Sequence, residues 1–115
     1  MGKEMNFQHK DLASGRWKEM SLCAQMANIG SEINRALNWQ KKGEKEFCQK
    51  AAIRALELLD LSLDSVKPFS RIREVARLRE AVVDYFFGLN QFSSSETLWR
   101  KFFDHFNYAA RNGRN

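Results

Sequence analysis

Proline is nearly missing from this chain: Pro68 is the single one among 115 residues, and six glycines are the other strong breakers. So little punctuation excludes a protein of many short strands and tight turns, which needs a breaker every few residues. Cysteine is equally scarce. Cys23 and Cys48 fall on separate predicted helices with no CxxC spacing, which argues against a disulfide scaffold or a zinc ribbon and for two buried thiols in a reducing compartment. Histidine occurs twice, and neither copy has a glutamate three residues before it, since His9 follows Asn6 and His105 follows Phe102. The Glu-x-x-His pairs of di-iron bundles are therefore absent. No glycine-rich phosphate loop is present, because Gly30-Ser31-Glu32 lies inside a predicted helix and Gly15-Arg16-Trp17 lacks the following Gly-Lys-Ser. No apolar run approaches the ~18 residues that span a bilayer, and the start, MGKEMNFQHKD, has no secretory core. We expect no metal, no cofactor and no membrane partner, and a cytoplasmic location.

What the chain does have is apolar mass and positive charge. It is 43% hydrophobic, with nine Phe and three Trp, which suits one packed domain of this length. Nineteen Lys and Arg against fourteen Asp and Glu leave a net charge of +5, so an anionic partner, RNA first among them, is an expectation.

The pattern is organised around LCAQMANIGSEINRALNWQKK. Leu22, Met26, Ile29, Ile33 and Leu37 form one stripe at helical spacing, and Cys23, Ala27, Gly30 and Asn34 form a second stripe of small residues beside it. A mid-helix glycine costs ~1 kcal/mol against alanine and is kept for close packing, so this helix is expected to be approached on two sides. Cys23, Ala27, Gly30 and Asn34 are accordingly the expected interface with a second subunit in a homodimer, or an internal contact. Trp39, off the main stripe, is a candidate partner anchor or is covered by the second helix.

Residues 1–11 read as a flexible arm, followed by a four-helix bundle over 12–112. Its helices are expected at about 17–42, 44–63, 70–87 and 94–111, with Gly43, Pro68 and Gly88 at the breaks. Ser93 and Glu96 have the spacing of a capping box before the fourth helix, which is expected to bury Leu98, Trp99, Phe102, Phe103, Phe106 and Ala110. Four amphipathic segments joined by short links give an all-α, antiparallel four-helix bundle. The segment GEKEFCQKAAIRALEL resembles half of a tetratricopeptide repeat, but no second copy follows at the repeat period.

Two candidate constellations remain. Arg71, Arg73 and Arg77 could hold RNA phosphates, or could pair with the interleaved Glu74, Glu80 and Asp84. Arg100 and His105, in RKFFDH, resemble the Arg-x(4 to 6)-His signature of HEPN domains, small helical bundles of which many are dimeric ribonucleases. The resemblance implies a cleft in which His105 helps activate a 2′-hydroxyl and Arg100 holds the phosphate. It departs from the family pattern at Lys101, where a polar Asn, Asp or His is usual, and a five-residue step places the two about 140° apart around a helix. Over most of its length, through GRWKEMSL, NIGSE, RALELLDL, REAVVDYFFG and FNYAAR, the chain resembles a family of small bacterial helical proteins, a likeness that implies no particular activity. The function expected is that of a homodimeric binding module; the alternatives are a metal-independent HEPN-like ribonuclease or an RNA-binding bundle.

Overall fold

The computed structural model describes residues 15–65 and 69–111; the expected arm at residues 1–11 lies outside them. A 3-10 turn, Arg16–Glu19, precedes four helices: α1 (Leu22–Lys41), α2 (Lys45–Ser65), α3 (Phe69–Phe87) and α4 (Glu96–Arg111). The chain is an all-α four-helix bundle, and among the described residues no helix is long and apolar enough to cross a membrane.

The ends of these helices follow from local chemistry. α1 starts at Leu22, not near residue 17, because Met20 is extended (φ −82°, ψ 146°) and the Ser21 hydroxyl caps the helix by accepting from Ala24 N at 3.1 Å. The segment before it closes separately as the 3-10 turn. At the other end Gly43 takes φ 75°, its N–H donating to Gln40 O at 3.0 Å while Glu44 N donates to Trp39 O at 3.0 Å. That pair of bonds is a Schellman closure, and it needs a residue free of the Cβ penalty at Gly43. α4 begins later than the expected capping box. Ser95, not Ser93, caps it, with Ser95 Oγ accepting from Leu98 N at 3.2 Å. Ser93 is instead held at φ 56° within a loop where Asp84 accepts from Gln91 N and Phe92 N at 2.7 and 3.0 Å.

α1 lies at the centre, against α2 on one side and α4 on the other, while α3 packs on α2. Ile29, Ile33 and Leu37 of α1, Leu58 and Leu59 of α2, Val82 of α3 and Phe103 of α4 are shut off from solvent. The 3-10 turn is pinned to this core by a closed polar ring. Trp17 Nε1 donates to Ser62 Oγ at 3.0 Å, Ser62 Oγ donates to Gln25 Oε1 at 2.9 Å, and Gln25 Nε2 donates to Trp17 O at 2.9 Å. All three side chains are buried, so each bond satisfies a group that would otherwise be costly to bury.

Candidate functional site

The small stripe of α1 is used inside the chain. A β-carbon on Gly30 would lie 2.9 Å from Cβ, Cγ and Cδ1 of Phe103, so the α4 ring rests on the bare backbone of α1. One turn along, Asn34 Oδ1 accepts from Arg100 Nη1 of α4 at 3.3 Å, and Cys23 is buried. The two-sided approach expected of this helix is therefore made by α2 and α4 of the same chain. Ala27, in the same stripe, is partly covered. Trp39 is packed by the second helix, its ring centroid 4.8 Å from that of Phe47, with Lys42 Nζ 5.1 Å from the centroid.

Arg100 is a fastener between helices. Its Nε donates to Glu96 Oε2 at 2.8 Å, and its Nη2 donates to Asn38 Oδ1 at 2.8 Å, beside the bond to Asn34. The Arg100 hydrogen bond holds the Glu96 carboxyl below its ordinary range, with Lys41 adding to the effect. His105 is exposed, its ring edge-on to Phe106 at 5.4 Å. Arg100 faces α1, and among the described residues no contact brings it together with His105. Cys48 is buried, and that burial pushes its thiol upward, away from a reactive thiolate. Among the described residues no cluster of His, Cys, Asp and Glu could hold a metal ion.

The feature of the surface that stands out is the space between α3 and α4. These helices follow one another in the chain, yet their backbones stay apart, and side chains bridge the gap, with Tyr85 edge-on to Trp99 at 6.0 Å. The gap forms a cavity of about 430 Å³ lined chiefly by Leu78, Ala81, Leu98, Trp99 and Phe102. It runs on, through the shared Leu78 and Phe102, into a smaller hollow of about 60 Å³ bordered by Met26, Arg71, Glu74 and Phe106. Together they make an open apolar groove along two helices.

Two of its walls were expected in the core. Leu98 is 56% exposed and Phe102 44% exposed, against full burial of Phe103 beside them. The reason is angular: apolar residues 98, 99, 102, 103 and 106 cover an arc of about 140° on α4, more than the α1 surface it packs on can shield. That width was the available sequence signal. Nothing in the sequence pattern placed Leu78 and Ala81 opposite it, because spacing along one helix does not say which face of another it meets.

The groove has charged lips. Lys101 borders it on α4 and Arg71 on α3, while Arg77, exposed, lies one step further around α3 from Ala81. None of the three makes an ion pair among the described residues, unlike Arg79, which donates to Asp60 at 2.7 Å across α2 and α3. Arg71 thus borders the groove, whereas Arg77 and Arg73, both exposed, lie further round the helix, outside its lining. Compared with protein-family models, with curated proteins and with solved structures, the chain finds no match.

Proposed function

We propose that the protein is a binding module whose docking surface is the groove between α3 and α4. The observation that supports this reading is the exposure of Leu98 and Phe102 beside an apolar cavity of about 430 Å³. An isolated exposed leucine is ordinary, but two large apolar residues one helical turn apart, lining a recess, form a contiguous patch of the kind that marks an interaction site. The groove holds no nucleophile and base in contact, and its floor is hydrocarbon, which suits recognition over bond-breaking.

The test is a photo-crosslinking residue placed at Ala81, on the groove, and at Glu80, on the outer face of α3, in cells that make the protein. Adducts with another chain should form from position 81 and disappear when Phe102→Asp is added. Equal labelling from both positions would sink the reading.

A further inference from the structure

We infer that the occupant of this groove is an amphipathic helix of another protein, carrying acidic residues beside its apolar anchors. The inference rests on the groove being a docking surface and adds the chemistry of what docks. Its shape comes first. From Leu98 to Phe106 the wall on α4 runs eight residues, about 12 Å of helix rise. An incoming helix presenting side chains at i, i+3 or i+4, and i+7 spans about the same length, so three anchors can reach Leu98, Phe102 and the hollow beside Phe106 in one pass.

Charge then decides between occupants. Arg71 and Lys101, one on each lip, stand without carboxylate partners among the described residues, against one acid, Glu74, in the lining of the groove. A second copy of this chain would set those cations against their own kind, on a protein that already carries +5. Residues 1–14, MGKEMNFQHKDLAS, hold two lysines against one glutamate and one aspartate and so offer the lips no net negative charge. An RNA strand supplies charge but leaves the floor of Leu78, Ala81 and Leu98 uncovered. A helix with leucines or phenylalanines on one face and glutamates flanking them satisfies floor and lips together, and its carboxylates also speed encounter with a basic surface.

The probe is a fluorescein-labelled amphipathic peptide of about four helical turns, apolar at i, i+3, i+7 and i+10 and glutamate along both flanks. A sister peptide carries lysine in place of every glutamate. Anisotropy with the full chain should show the glutamate peptide binding about tenfold more tightly than the lysine peptide at low salt, with the gap narrowing in high salt. Leu98→Asp should abolish binding, and Arg71→Glu combined with Lys101→Glu should reverse the preference; all three positions are exposed, so circular dichroism should stay unchanged.

Equal binding of the two peptides, or preference for the lysine peptide, overturns the acidic partner while leaving the groove as a docking surface. No peptide binding, with crosslinks from Ala81 still formed in cells, overturns the helix and likewise leaves the groove. A dimer that Leu98→Asp dissolves, a crosslink from the groove to residues 1–14, or single-stranded RNA bound in the groove each names a different occupant and overturns the inference.

Discussion

Phe103 of α4 lies directly on Gly30 of α1, so close that even one added methyl on residue 30 would stand 2.9 Å from the ring and from its own Cβ. A Cβ cannot swing aside as the end of a long side chain can, so an alanine at position 30 has to push α4 away from α1.

Gly30→Ala should therefore destabilise the protein although alanine is the better helix former. The propensity gain is ~1 kcal/mol, and overpacking a tight core costs about 1–3 kcal/mol, so the net loss reaches up to about 2 kcal/mol. Urea unfolding measures it. Phe103→Ala alone should cost about 3–5 kcal/mol, and in that background the Gly30→Ala penalty should shrink, because the ring atoms are gone although the Cβ at 103 remains, giving a coupling of about 0.5 kcal/mol or more. Additive effects would mean that the ring does not limit the approach of the helices.

Arg100 and His105 should behave differently. Arg100→Ala removes bonds to Glu96, Asn34 and Asn38 and should cost about 1–2 kcal/mol, reduced from the buried-pair range because the side chain is about a third exposed. Arg100→Lys should recover little, since a single ammonium cannot hold three acceptors set in a fork. His105→Ala, at an exposed site, should stay within about 0.5 kcal/mol of the parent. Chemical denaturation of the three variants separates these outcomes. RNA cleavage lost in both alanine variants, with His105→Ala fully folded, would show that the two act together after all.

Ser62→Ala should cost about 1–3 kcal/mol, because it strands both the Trp17 indole N–H and the Gln25 carbonyl inside the core. Ser65→Ala, whose hydroxyl donates mainly to its own helix at Leu61 O, should cost a few tenths. Thermal melts followed by tryptophan fluorescence, with Trp17 only 1% exposed in the parent, check both.

Glu57 makes stability depend on pH. Burial raises its carboxyl above the ordinary value of 4.5; Arg54 opposes the shift, and Glu32 and Asp60 add to it. One of its oxygens, Oε1, is buried with no hydrogen-bond partner. A carboxyl with a raised folded pKa binds its proton more tightly in the folded state, so between the unfolded and folded values stability falls as pH rises. Glu57→Gln removes that fall. The variant should match the parent near pH 4 and become the more stable of the two as pH rises to 7. A difference that does not change with pH would place the effect elsewhere.

The fold was readable because its signals are local. Gly43 ends α1, apolar period marks α1 to α4, and the small stripe at Gly30 announces a close neighbour, all from residues a few positions apart. Which helix is that neighbour depends on residue pairs far apart in the chain, such as Gly30 with Phe103, and spacing along one helix carries no record of them. The groove was hidden for the same reason. Leu98 and Phe102 have the spacing of core residues, and only the failure of α3 to close on α4 turns them outward. Caps read from type and spacing were sound to within two residues, as the shift from Ser93 to Ser95 shows, because several serines in a row compete for the role.

α4 leans on α1 and has the gap on its other side, so it can be released without parting α1 from α2. Detachment of α4 would uncover Gly30 and Phe103 while α1, α2 and the ring around Trp17 stay in place, a sub-global opening of the kind seen by amide exchange. Its amides should then exchange ahead of those in α1. A partner lodged between α3 and α4 would slow that exchange, turning α4 from a helix held on one side into one clamped on both.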